Sequence, residues 1–524
     1  MTQLRRFRLG EPMFLFLFAC VLELVVILYL NDGVFSYTLD DAYIHLALAE
    51  HIRHGHYGIN PGEYAAPASS ILWPFLLAPC IDFAWAPYVP LLLNFVASLG
   101  TICVIERIVR ISLGPSSTAE SPQLIWLITI VLILALNLVG LTFTGMEHSL
   151  QVFLALVTVL GLLESTISGS LPWWLGIGII AGPLVRYENL ALSVPALLYA
   201  SWKKQHRFCL LYAVLLVTLL IGFSFFLHGL GLSWLPTSVL VKSRPISGIE
   251  NHSIKDSIVN FLANLYFGCT TITPALLLCV LSLRWHRRPE DILVALWMIA
   301  AIVFHLLFGR FGWFARYETY LWASSLTVLV YLYKNEVSQF YRFLFSAQCL
   351  LLTSLFLLIP GRSYLFATLT TPLAANNIYQ QQYQMHRFVT EWYHAPVAVN
   401  DLGRVSFRNN YYVLDLFGLA SQEAFRLRLK ETSSDWMNEM AQRHNVKLAM
   451  LYPAWFTSLP TNWIPVGELR LGKRRITAAQ ASVMFYALDQ DTVKRVHPLL
   501  RDFQRTLPSG VEFVRQHHRR RAKK

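Results

Sequence analysis

The sequence predicts a polytopic α-helical membrane protein, with about eleven transmembrane helices plus juxtamembrane helices, that ends in an α/β domain on the exoplasmic side. Three observations predict it. Hydrophobic residues make up 55% of the 524 positions and charged residues only 14%, where a soluble chain carries roughly 25% charged. Apolar runs approaching the ~20 residues that cross a bilayer recur from Met13 to Pro360. Beyond Pro360 the chain turns polar, and short β-like runs alternate with helical patterns.

The first run, Met13 to Leu30, is apolar apart from Glu23 and follows Arg5, Arg6 and Arg8. That charge order holds the N-terminus in the cytoplasm. No small-x-small cleavage site follows, so the run reads as a retained anchor. Further spans are expected near 87–109, 122–140, 149–166, 172–186, 188–202, 208–228, 258–283, 291–309, 318–333 and 341–360. Basic groups end several of them: Arg107 and Arg110, Lys203, Lys204 and Arg207, Arg284, Arg287 and Arg288, and Lys334. With these inside, the crossings number about eleven and the outer loops follow from the positive-inside rule. Residues 69–83 are apolar too, but Pro74 and Pro79 interrupt them, and a crossing there would put Arg107 and Arg110 outside. They read as an interfacial or re-entrant helix.

This division gives a transmembrane domain over 1–360, with a first outer loop over 31–86, an exoplasmic α/β domain over 361–510, and a basic tail over 511–524. Strands are expected at Val397–Val399, Tyr411–Phe417, Val446–Tyr452, Val466–Leu471 and Ser482–Ala487. Helices are expected at Ser421–Lys430, Asp435–His444 and Thr492–Arg505. The net charge of +12 lies largely in clusters between spans and carries no implication of nucleic acid. All seven cysteines fall at or before Cys349 and none forms a CxxC, which speaks against a disulfide framework or a cysteine-built zinc site.

Ionisable residues near span ends are functional candidates. Asp40 and Asp41 emerge just past the first span, and a positioned carboxylate serves as a general base; Asp40 is the first choice, with Asp41 orienting it or acting in its place. The structural alternative is capping of the helix that Ala42–His54 predicts, but one cap needs only one Asp. His51 and His54, in a cluster with His45 and His56, have helical spacing, yet no carboxylate falls at the usual ligand offset, so a solvated interfacial face is the plainer reading and no metal ligand is assigned. Lys242 and Arg244, in LPTSVLVKSRP, suit either a lipid-linked phosphate or general headgroup attraction. Arg186 and Glu188 in RYEN, and Arg316 and Tyr317 in RYE, suit internal salt bridges, with the arginines also candidate phosphate ligands. Glu147 and His148 in TGMEH would orient an acceptor or pair with one of these arginines. Gly176–Gly178 and Gly309–Gly312 lack any nucleotide-loop spacing and instead suit close helix packing.

The stretches TLDDAYIHLALAEHIRHGHYGINPGE and ASSILWPFLLAP, with TGMEHSL, RYENLA and VAVNDLGRVSFRNNYYVLDLFGLAS, resemble the polytopic GT-C glycosyltransferases that use polyprenyl-phosphate sugars. These include protein-mannosyltransferase-like, aminoarabinose-transferase-like and arabinofuranosyltransferase-like members. Asn189 stands where that family often has Gly. The resemblance implies juxtamembrane helices in the first loop, a base at Asp40 or Asp41, and outer-loop cations on the donor phosphate. It also implies inversion at the anomeric centre. Many members need no divalent cation and some bind one. The implied partners are a polyprenyl-phosphate sugar, an envelope glycan, lipid or protein acceptor, and membrane lipids. The implied location is the bacterial inner membrane, with the C-terminal domain outside. Two rival readings are a transporter or flippase for a lipid-linked sugar, and a non-catalytic polysaccharide-binding scaffold. Against the first, charges gather at span ends rather than at the bilayer midplane, and no paired broken helices recur in two halves.

Overall fold

A computed structural model describes residues 10–120, 122–243, 254–286, 288–339, 346–430 and 433–516. Arg5, Arg6, Arg8, Arg287, Arg244 and the tail beyond 516 lie outside the described residues. The chain forms two compact units. One comprises Met1–Leu24, Pro90–Gly222 and Glu250–Leu369; the other comprises Val25–Val89, Phe223–Ile249 and Thr370–Lys524.

Five helices are long and apolar enough to cross a membrane: Glu11–Leu30, Ala86–Gly114, His148–Ser168, His206–Gly229 and Pro289–Phe308. Two bent pairs, Ile258–Phe267 with Ile272–Trp285 and Ala347–Leu358 with Arg362–Tyr393, raise the number to seven if each counts as one span. Three shorter apolar helices, Pro122–Ala135, Leu175–Val185 and Thr319–Leu332, fall at expected spans, and so does Leu190–Trp202. The chain is a multi-pass membrane protein. Local backbone breaks account for the shortening. The 122–140 run stops at Ala135 because Asn137 adopts φ +52, and a separate helix, Leu138–Thr142, follows. The 172–186 run stops at Val185 because Arg186 is extended. Within the first unit, helix His148–Ser168 packs closely on Leu175–Val185 through small residues. A Cβ at Gly161 would sit 2.8 Å from the Leu175 Cβ, and one at Gly178 would sit 2.5 Å from the Thr158 hydroxyl. Small residues bring helices together where lipid offers no hydrophobic drive.

Residues 69–83 do not form a span. They fold into helix Trp73–Leu77 and a 3₁₀ turn at Ala78–Cys80, set in the second unit. That unit also holds helix Asp41–Arg53, whose residues Ala42–Ala49 are all buried, and a six-stranded sheet. Its strands are β1 (Val397–Val399), β2 (Val413–Asp415), β3 (Leu448–Leu451), β4 (Ile464–Arg470), β5 (Ser482–Ala487) and β6 (Glu512–Arg515), in the order β2-β1-β3-β5-β4-β6. β1 pairs parallel with β2 and β3, while the remaining pairs are antiparallel. β6 lies where the sequence suggested only a basic tail: four residues of which only Phe513 is buried are too short to announce themselves, and pairing with β4 makes them a strand.

Alternation sorts side chains to the two faces of the sheet. Ala398, Leu414, Ala449 and Leu451 meet Trp436, Met437 and Met440 of helix Asp435–Arg443 on one face. On the other, Phe485 of β5 meets Phe388 at 5.7 Å and Phe513 at 5.1 Å between ring centres, and Phe388 meets Phe503 at 5.1 Å. The loop over 31–86 is bonded to this sheet. Asn60 donates to the Val413 carbonyl at 3.0 Å and accepts from the Val413 N–H at 2.9 Å. Tyr412 donates to Glu63 at 2.6 Å.

Phe485 is fully buried, so Phe485→Ala is expected to cost roughly 3–5 kcal/mol. Thermal unfolding followed by limited proteolysis should show the C-terminal sheet becoming cleavable at a lower temperature than in the wild type.

Candidate active site

The second unit brings Asp40 and Asp41 together with a third acid. Asp40 stands at the N-cap position of helix Asp41–Arg53 but makes no side-chain bond to it. Its carboxylate instead reaches across the fold: Oδ2 accepts from the Gly403 N–H at 2.6 Å and Oδ1 from the Arg404 N–H at 2.7 Å. These N–H groups open helix Gly403–Ser406. Asp40 therefore caps a helix, as one sequence reading allowed, though not its own. The approach requires glycine, because a Cβ at 403 would collide with the Asp40 carbonyl oxygen and lie 2.7 Å from Oδ2.

Asp401, two residues beyond β1, is hydrogen-bonded to Asp40. Its Oδ2 accepts from Gln382 Nε2 at 2.7 Å, and the Tyr452 hydroxyl lies 3.4 Å from the same oxygen. That hydroxyl also donates to Gln381 and accepts from Gln382 at 2.8 Å. The neighbouring Asn400 accepts from the Tyr452 N–H at 2.9 Å, joining the ends of β1 and β3. In the order β2-β1-β3 this is the point where successive connections diverge, the usual ligand crevice of parallel sheets.

Burial first, and then the charge of Asp401, push the Asp40 carboxyl well above the ordinary carboxylate range; burial, and then the charge of Asp41, raise Asp401 to about 6, while its hydrogen bond with Asp40 acts the other way. Two buried carboxyls this close hold a proton between them. Asp41 opens its helix and stays partly exposed. Beside them, the Arg404 guanidinium lies against the rings of Tyr43, Tyr383 and Phe407.

Lys242 lies on helix Thr237–Ser243 of the same unit, and its side chain, like Arg244, is outside the described residues. The first loop anchors that helix: Thr237 N–H donates to the Ala66 carbonyl at 3.0 Å and the Ser238 hydroxyl to the Ala68 carbonyl at 2.8 Å.

The other unit gathers the remaining six expected residues. Arg186 donates to Glu147 at 2.8 Å and holds Glu188 through two nitrogens, at 2.5 and 3.2 Å. All three lie at breaks between helices, which lets an extended Arg186 face both acids. Arg316 donates to the Tyr317 hydroxyl at 3.0 Å. The Tyr317 ring lies 4.9 Å from the Arg316 guanidinium, 5.6 Å from that of Arg186 and 6.1 Å from the ring of His148. Both arginines are buried. The salt-bridge reading of RYEN thus describes the geometry of Arg186.

Sequence reasoning missed Asp401, Arg404, Gln382 and Tyr452. Their signal was an Asn-Asp-x-Gly turn at the carboxyl end of a parallel strand, a place where loops carry ligands. Among the described residues no group of three or more His, Cys, Asp or Glu is arranged to hold a metal ion.

Fold and clusters together define a multi-pass membrane protein whose loop 31–86 and C-terminal sheet build one acidic site. A domain of unknown function (DUF8728) matches residues 376–486, and no curated protein matches the sequence. Among solved structures, ArnT from Cupriavidus metallidurans bound to undecaprenyl phosphate is similar at 10% identity, covering 92% of this chain and 99% of that one, with a TM-score of 0.45. The apo oligosaccharyltransferase of Archaeoglobus fulgidus is similar at 11% identity, covering 97% and 77%, with a TM-score of 0.43. AglB from the same organism, in complex with an inhibitory peptide and a dolichol-phosphate, is similar at 12% identity, covering 96% and 76%, with a TM-score of 0.43. Likenesses this distant do not fix a shared activity.

Two outcomes are expected of the acid cluster. Gly403→Ala should cost roughly 1–3 kcal/mol through the forced displacement of Asp40, read as a lower melting temperature. A carboxyl raised in the folded state stabilises below its unfolded value, and that contribution is lost as pH rises through the folded one. Wild-type melting temperature should therefore fall as pH rises from about 4 through about 6, the raised value of Asp401. Asp401→Asn, which keeps a donor toward Asp40, should flatten that fall, as melting curves across the range would show.

Proposed function

We propose that the chain is a membrane glycosyltransferase of the GT-C type. It would take a sugar from a polyprenyl-phosphate donor and pass it to a cell-envelope glycan, lipid or protein on the exoplasmic face of a bacterial inner membrane. One observation carries the reading: the acidic pair of the first loop, the most specific point of the sequence resemblance, sits in a buried carboxyl cluster completed by the C-terminal sheet.

The chemistry follows from the division of labour between the acids. Asp40 has both oxygens bound to backbone N–H groups and shares a proton with Asp401. Asp41, adjacent and partly exposed, is the base in this reading. It removes the acceptor's hydroxyl proton while that oxygen bonds to the anomeric carbon from the face opposite the phosphate. The bond from carbon to phosphate oxygen breaks, and the polyprenyl phosphate leaves with the electron pair, inverting the centre. Lys242 and Arg244 are candidates for the leaving phosphate, and the buried Arg186–Arg316 cluster is a second cationic candidate. The hydrocarbon tail needs no polar contact, since each buried CH₂ contributes ~0.8 kcal/mol.

The test is transfer from a panel of polyprenyl-phosphate sugars to envelope acceptors by the chain in lipid nanodiscs. Asp41→Asn should lower the rate roughly 10²- to 10⁴-fold while donor binding persists. Undiminished transfer in Asp41→Asn removes Asp41 as base, and absence of transfer from every donor by the wild type removes the enzyme reading.

A further inference from the structure

Arg404 is the second residue of helix Gly403–Ser406, and its N–H is bound to Asp40 Oδ1 at 2.7 Å. Its main chain is therefore fixed relative to the acids. The guanidinium carbon lies 4.9 Å from the ring centre of Tyr43, 5.0 Å from that of Tyr383 and 5.8 Å from that of Phe407. Stacking on ring faces attracts a cation but does not neutralise it. Among the described residues no carboxylate forms an ion pair with Arg404 within 4.0 Å. Its Nε is buried and has no hydrogen-bond partner. A buried donor left unsatisfied is costly, and a guanidinium held by its faces presents its edges.

With Nε buried and the residue partly exposed, the terminal pair of Nη groups is the fork left to match two oxygens of a phosphate. Tyr43 belongs to the helix that Asp41 opens, so the cage couples this cation to the acid cluster. The turn lies just beyond the carboxyl end of β1, where β1 adjoins β3. Every other cation named as a phosphate candidate comes from loops of the transmembrane part.

We infer that Arg404, supplied by the C-terminal sheet, grips the phosphate of the lipid-linked donor through its terminal Nη groups. The inference rests on the glycosyltransferase reading. It assigns the α/β unit a direct share in donor recognition beyond supporting the first loop. The aromatic cage holds the fork in one orientation, so a lysine's point charge is a poor replacement.

The probe is undecaprenyl phosphate titrated into full-length protein in neutral-lipid nanodiscs, with phosphatidylglycerol and inorganic phosphate as controls for a headgroup site and a free-phosphate site. Arg404→Gln should weaken undecaprenyl-phosphate binding roughly ten- to hundredfold, and Arg404→Lys by less, with weak and unaltered responses to both controls. Wild-type affinity in Arg404→Gln overturns the inference while leaving the enzyme reading intact. Equal losses for phosphatidylglycerol or inorganic phosphate overturn it in favour of a general anion site. Should Arg404→Gln fail to fold, wild-type affinity in Arg404→Lys overturns the fork. A wild type that binds no undecaprenyl phosphate removes the functional reading itself.

Discussion

The second unit depends on one interaction: the Asp40 carboxylate accepting the Gly403 and Arg404 N–H groups. It joins positions 363 residues apart. It sets the loop over 31–86 against the carboxyl end of β1, and three acids meet there as a result. Two backbone N–H bonds to a buried carboxylate favour the ion; burial and Asp401 oppose it more strongly. A proton held with Asp401 reconciles the two demands. The whole arrangement tolerates no side chain at position 403, since the carbonyl and the carboxylate of Asp40 both fill that space.

Adjacent identical residues acquire different environments because successive helical side chains diverge in direction. Asp40 turns inward to a second helix and is buried, while Asp41 begins its own helix and stays partly exposed. An acid pair in a sequence looks redundant; here one member organises the turn and the other keeps its access to water. The second unit therefore treats architecture and reactivity as neighbouring residues of one loop.

The architecture was legible wherever the information is local. Each apolar run expected to cross the membrane falls on a helix, and β1 and β5 have the bounds that alternation suggests. The convergence of RYEN, TGMEH and RYE was legible as well, because ionisable groups at helix breaks inside apolar surroundings must find one another. Other features could not be read. Asn137 ends a helix through a left-handed backbone that no periodicity encodes. The place of Asp401 depends on a strand pairing and on a loop more than 300 residues away. Its Asn-Asp-x-Gly turn marks the end of a strand, but no local pattern carries the contact with Asp40. Arg404 was hidden for the same reason: its cage draws Tyr43 and Tyr383 from two separate helices.

The Asn60 side chain bonds both the N–H and the carbonyl of Val413, and Val413 belongs to the terminal strand β2. One amide group thus imitates a further strand at that rim. Unsealed rims invite a stray chain to add itself to the ladder, the usual first step of intermolecular β-aggregation. By occupying the first residue of a three-residue strand, Asn60 denies such a chain its foothold. The opposite rim, β6, carries Glu512 and Arg515, and charge there deters the same event.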